Sequence, residues 1–181
     1  MSPEPDTIIV RPATGTDAAA LHVVAAATFA LACPPGTTQE DIDAFIAEHL
    51  SEERFAAYLA DGHRVLLLAE VQNQLVGYTM LVFGEPQDPD VAAVLSVRPT
   101  VELSKCYVLS TQHGSGVASH LIAASVDVAH DRGAAAVWLG VNQLNERANR
   151  FYEKNRFRQV GTKRFLVGSQ WHEDFVRERT L

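Results

Sequence analysis

One stretch, residues 106 to 128, constrains this chain more than any other. Cys106-Tyr107-Val108-Leu109 is an apolar run, and Ser110-Thr111-Gln112-His113-Gly114-Ser115-Gly116 is a polar loop with two glycines. Beyond it, Val117, Leu121, Ala124 and Val128 recur on one helical face. The periodicity predicts a strand, a short glycine loop and a long helix starting at Ser115. A strand feeding such a helix has to bury two apolar faces, which points to a layered α/β sheet. Gly114 and Gly116 leave the backbone open to close approach by a ligand. The free N–H groups of the first helical turn, with the helix dipole behind them, form a site for phosphate oxygens. A glycine loop before a helix is also an ordinary turn, so the loop alone leaves both readings open. It is not a Walker loop, because no Lys follows Gly116. It is not a dinucleotide fingerprint either: Ser119 stands where the third glycine belongs, and no opening strand of a βαβ unit precedes it.

The 181 residues fit one domain, with residues 1–7 a flexible N-terminus and 8–181 the folded unit. Hydrophobic residues make up 47% and charged residues 20%, enough for a real core. No apolar run approaches the roughly 20 residues of a membrane span, and the first residues lack the basic and apolar regions of a secretion signal. Cys33 and Cys106 make neither a disulfide framework nor a metal site, so a reducing, cytoplasmic setting without metal is expected. The formal net charge of -7 argues against nucleic acid as a partner and is compatible with a cationic small-molecule acceptor.

Along the chain, Ile8 to Pro12 reads as a strand, and Thr14-Gly15-Thr16-Asp17 supplies N-cap residues for a helix from about Asp17 to Ala30 with Leu21, Val24, Ala25 and Phe29 as its buried stripe. Pro34-Pro35-Gly36 breaks the chain, and Thr37 to Glu40 has capping-box spacing for a helix through Leu50. Ser51 caps a helix from Glu52 to Ala60. Arg64–Glu70 and Leu75–Gly84 form a hairpin around Gln72-Asn73. Residues 86–100 show no readable structure. Val101–Leu109 is the central strand, Ala135–Val141 the next, and Asn145 opens a helix that Asn155 closes in the left-handed conformation. Arg158–Val167 and Phe175–Arg179 form a last strand pair. Alternation along the central strand places Glu102, Ser104 and Cys106 on one face. A half-buried Glu102 has a raised pKa, suited to a general base; its other reading is an ordinary ion pair.

Three segments resemble one family, the GCN5-related N-acetyltransferases (GNAT). His113-Gly114-Ser115-Gly116-Val117-Ala118 is similar to that family's [Q/R]-x-x-G-x-[G/A] loop, with His where Gln or Arg is usual. Gly77-Tyr78 resembles its I-x-G-[FY] strand, and Asn145 to Phe157 its N-x-x-A-x-x-[FL]-Y-x-x-x-G-F segment, with Asn155-Arg156 replacing a basic residue and Gly. Val137-Trp138-Leu139-Gly140-Val141, Asn145-Glu146-Arg147-Ala148 and the tail from Val160 look like the PaiA-like spermidine/spermine branch. Departures from that branch are Asn142, where an aromatic is usual, and Ser169-Gln170, where an acidic pair is usual.

The resemblance implies a single-domain GNAT fold with a mixed sheet of about seven strands, helices on both faces and two parallel strands splayed around the coenzyme. It implies acetyl-CoA as co-substrate, with its pyrophosphate on His113, Gly114, Ser115, Gly116, Val117, Ala118 and Ser119. Its pantetheine would lie along Tyr107, Val108 and Leu109, with Asn145 on the coenzyme arm. A backbone N–H near Tyr107 or Val108 would stabilise the oxyanion, Tyr152 would protonate the leaving thiolate, and Glu102, or else His172, would act as base. The expected acceptor is a small primary amine, in this branch a polyamine, and a homodimer is compatible with it. The competing readings are a protein or peptide N-acetyltransferase and a catalytically inactive acyl-CoA-binding regulatory module.

Overall fold

The computed structural model describes residues 6–181, so most of the segment expected to be flexible lies outside the described residues; Asp6 accepts a hydrogen bond from Gln72 at 2.8 Å. Among the described residues, seven strands form one sheet: β1 (Ile8–Pro12), β2 (Arg64–Val71), β3 (Gln74–Phe83), β4 (Thr100–Val108), β5 (Ala136–Asn142), β6 (Arg158–Val167) and β7 (Gln170–Thr180), in the order β1-β2-β3-β4-β5-β7-β6. Every neighbouring pair is antiparallel except β4–β5, as the intervening crossover helix requires. One face is covered by α1 (Ala18–Ala32), α2 (Gln39–His49), α3 (Glu52–Ala60) and α4 (Pro89–Val94), the other by α5 (Val117–Asp131) and α6 (Glu146–Lys154).

The expected β2–β3 hairpin is present, and Gln72 and Asn73 both take positive φ (51° and 61°), the mirror-image turn that matches strand twist. Gly77 is required by packing: a β-carbon there would lie 3.0 Å from the Tyr107 carbonyl and 3.0 Å from Val108 Cγ2. Gly15–Ala32 has the length and apolarity of a membrane span, yet Leu21, Val24, Ala25 and Phe29 are buried against α3, Tyr78 and Met80. Residues 86–100 hold α4, whose N-cap Asp88 accepts from the Asp90 N–H at 2.9 Å, and Val91 buries against Trp138.

Four sequence expectations are corrected. Thr38, not Thr37, caps α2 by accepting from the Asp41 N–H, while Thr37 donates to the Pro34 carbonyl. Asp17 precedes α1 without capping it, because Arg11 and the Thr14 N–H occupy its carboxylate. Arg156 (φ 69°), not Asn155 (φ −90°), takes the left-handed position after α6, where the family pattern has Gly. The fourth bears on the site. Met80 pairs with Lys105 but Leu81 with Leu103, so β4 carries a bulge at Ser104. Beyond it the alternation is inverted: Lys105 and Tyr107 share the face of Glu102, while Cys106 joins Leu103 on the α5–α6 face.

Candidate active site

β4 and β5 are paired only from Thr100↔Ala136 to Glu102↔Trp138. After Glu102 the two strands separate, and β4 turns from largely buried to half-buried from Ser104 through Leu109, although it lies in the middle of the sheet. The gap is therefore open along the strand that leads to the glycine loop. The Leu109 N–H is bonded to the Val76 carbonyl (2.8 Å) and the Leu109 carbonyl accepts from Gln112 (2.9 Å), so Leu109 has no free backbone N–H for a coenzyme and serves as a packing residue. Strand alternation turns the backbone groups of Tyr107 toward β3 as well, and those of Cys106 and Val108 toward the gap. Of the two expected oxyanion donors, Val108 has the right direction and Tyr107 does not.

The loop forms as expected, though α5 begins at Val117 rather than Ser115. Gly114 and Gly116 have φ of 82° and 92°, a region that disfavours side chains. The first intrahelical bond runs from the His120 N–H to the Gly116 carbonyl, and no side chain caps the helix, which leaves the N–H groups of Val117, Ala118 and Ser119 for an anion. Ser115 Oγ donates back to the Gln112 carbonyl at 2.6 Å and braces the turn. His113 does not project freely. Its Nε2 lies 3.1 Å from the Val108 carbonyl, which can only accept, so Nε2 carries the proton. Nδ1 is then the acceptor for the Arg147 guanidinium of α6. The positive charge missing from position 113 is thus supplied beside the loop by Arg147, a residue whose motif position gave no sign of it.

Asn145 caps α6, its Oδ1 accepting from the Ala148 N–H at 3.1 Å, and its amide N–H groups have no partner among the described residues. The buried Arg177 bonds Asn149 Oδ1 (3.0 Å) and the Phe157 carbonyl (3.1 Å), fixing α6 to the sheet. Tyr152, on that helix, reaches the edge of the gap, where it packs in the same cluster as Cys106. Burial drives the Tyr152 pKa well above its ordinary value, with Cys106 and Tyr107 adding to the effect; burial also pushes Cys106 up to about 12. Tyr152 therefore stays protonated and able to donate across neutral pH. Cys106, half-buried against the core cluster on the α5–α6 face, borders the gap.

Glu102 lies on the opposite sheet face, at the last β4–β5 pair. Burial raises its pKa, and Lys163, Lys105 and Arg64 oppose that rise. Lys105 is lowered to about 8, chiefly by burial, with Arg64 lowering it further and Glu102 opposing. Asp174 on β7 is buried, and that burial lifts it to about 6 against Lys163 and His172. His172, the other candidate base, has its Nε2 enclosed without a partner. Asp174, Lys105 and Lys163 were not singled out from sequence. The bulge that turns Lys105 inward leaves no sequence mark, but counting outward from Gly168-Ser169 would have set Lys163 opposite Asp174. A cavity of ≈ 170 Å³ opens beside this face, lined by Cys33, Pro34 and Pro35 after α1 and by Asn142, Leu144 and Asn145.

Comparison with known proteins agrees with this geometry. The Acetyltransferase (GNAT) family profile matches residues 31–157. An uncharacterized N-acetyltransferase of Mycobacterium tuberculosis is 45% identical over 166 residues, covering 92% of this chain and 99% of that protein. The PaiA N-acetyltransferase from Thermoplasma acidophilum, solved in complex with coenzyme A, superposes with a TM-score of 0.79 at 20% identity, covering 97% of this chain and 99% of that one. A GCN5-related N-acetyltransferase from Rhodopseudomonas palustris superposes with a TM-score of 0.73 at 21% identity, covering 98% of each chain. The phosphate-ready loop, the strand gap and the family match together establish that this chain belongs to the GCN5-related N-acetyltransferase family and is an acetyl-CoA-dependent N-acetyltransferase.

Proposed function

We propose that the chain acetylates a small primary amine by direct attack, with the coenzyme entering the gap from the α5–α6 face and the amine from the α1–α2 face. The observation that carries this is that Glu102 stands on one sheet face at the root of the strand gap while Tyr152 packs by Cys106 on the other. Glu102 takes the proton of the arriving ammonium, an exchange that its raised pKa favours. The neutral nitrogen attacks the thioester carbon, and a backbone N–H on the gap side of β4, that of Val108, receives the developing oxyanion. The C–S bond then breaks, Tyr152 protonates the thiolate, and the proton left on the nitrogen restores Tyr152 by way of solvent. The coenzyme phosphates rest on the N–H groups of Val117, Ala118 and Ser119 beside Arg147. Arg147 beside His113 adds a cation for the coenzyme phosphates where the usual Gln or Arg is missing.

The polyamine reading draws support from the net charge of -7. Among the acidic residues of the helices before the central strand, Asp88 caps α4, while Glu40 and Asp43 lie exposed on α2. Glu102 stands at the gap, and Lys105 and Lys163 stand beside it. We therefore keep the acceptor as a small primary amine. Thiol release from acetyl-CoA, measured across small amines and peptides, is the test. Turnover with small amines supports the reading; turnover restricted to peptides replaces it.

A further inference from the structure

The sheet face beneath α1 and α2 holds more unpaired polarity than transfer to a plain alkylamine needs. Among the described residues, the enclosed side-chain polar atoms without a partner are Tyr78 Oη, Trp138 Nε1 and His172 Nε2. Strand register puts all three on this face: Tyr78 pairs with Tyr107, Trp138 with Glu102, and His172 lies two residues from Asp174. Asp174 itself is only 6% exposed, yet no side-chain donor among the described residues bonds its carboxylate. Glu102, Lys105 and Lys163 likewise form no direct ion pair among the described residues, while Arg64 is held by Asp61 at 3.0 Å. Lys163 runs across β5 over Gly140, where a β-carbon would collide with its Cε and stand 3.3 Å from Asp174 Oδ2. Two cations and two carboxylates are thus held close but apart, half-buried or buried. Desolvating charges without pairing them is costly, and a ligand that bridges them offsets that cost.

We propose that this face recognises a small primary amine that also carries an anionic group, its ammonium set against Asp174 and Glu102 and its anion between Lys105 and Lys163. A polyamine would bring its second ammonium against those lysines. On the amine-transfer reading, on which this assignment rests, Glu102 takes the ammonium proton, the N–C bond forms, the C–S bond breaks as the tetrahedral oxyanion collapses, Tyr152 protonates the thiolate, and the proton left on the new amide nitrogen restores Tyr152 by way of solvent.

The test uses three acceptors of equal length, 4-aminobutyrate, putrescine and n-butylamine, together with glycine, β-alanine and ethanolamine. Thiol release is measured for each, and calorimetric binding of each to the full chain saturated with coenzyme A is measured alongside. The carboxylate-bearing amines should be preferred by at least about tenfold in kcat/KM or in affinity. Lys163→Met should erase most of that preference by raising KM rather than lowering kcat, and Lys163→Arg should restore part of it. Binding preference without turnover of any amine would uphold the assignment and overturn the amine-transfer reading. Equal or better use of putrescine or butylamine, or a preference unmoved by Lys163→Met, would overturn the assignment and leave acetyl transfer standing. Failure of every amine both to bind and to react would overturn both.

Discussion

Asp174→Asn should make the coenzyme-free protein more stable while impairing its use of acceptor. Burial lifts the Asp174 carboxyl from 3.8 to about 6. That difference corresponds to about 3 kcal/mol of destabilisation at pH 7, because the folded protein holds the charged form at a disadvantage. The side chain is 6% exposed, but its oxygens are not among the fully enclosed unpartnered atoms, so water relieves part of this cost. The amide must still be desolvated, and Lys163 loses a compensating charge. A net gain of about 1.5 kcal/mol is expected, or roughly 3–6 °C in Tm for a domain of this size. The gain is full above about pH 6 and fades as pH falls toward 3.8, where the wild-type carboxyl is protonated folded or unfolded. Lys163, His172 and Tyr107 are the groups facing it. Thermal unfolding at pH 7 and pH 4, together with acceptor KM, checks both halves. A variant destabilised at pH 7, or equally stabilised at both pH values, would refute the reasoning.

Three further outcomes follow from the same geometry. Arg147→Met should weaken coenzyme A binding about fivefold, with a smaller loss at high salt, as titration calorimetry would show. Selectivity for a carboxylate-bearing amine over an alkylamine of equal length should fall as pH rises through about 8, where Lys105, facing Glu102 and Arg64, loses its charge; the ratio of kcat/KM values cancels the ionisation of the substrates' amines. Arg156→Gly should stabilise the protein by about 0.5–1 kcal/mol by relieving a left-handed non-glycine residue, read from denaturant midpoints.

The layered fold was legible because its signals are local. Gln72-Asn73, the glycine loop and Asn145 each sit at the turn or cap that their chemistry favours. What was not legible came from long-range register. Strict alternation put Cys106 with Glu102, and the Ser104 bulge, which no single residue announces, put Lys105 and Tyr107 there instead. Arg147 was invisible for a similar reason, since its meeting with His113 joins residues 34 positions apart through the close of a crossover. Asp174 was readable in principle by counting from the Gly168-Ser169 turn, but its burial depends on the helices packed over that hairpin.

The most direct measurement is of Tyr152→Phe, assayed for thiol release and, separately, for acetyl-CoA affinity. The hydroxyl acts only as the thiolate develops, so its loss should lower kcat by about 10²-fold while the dissociation constant stays within about twofold. Wild-type turnover in the folded variant would make Tyr152 a packing residue against Phe157 and contradict the proposed passage of coenzyme and amine through one strand gap.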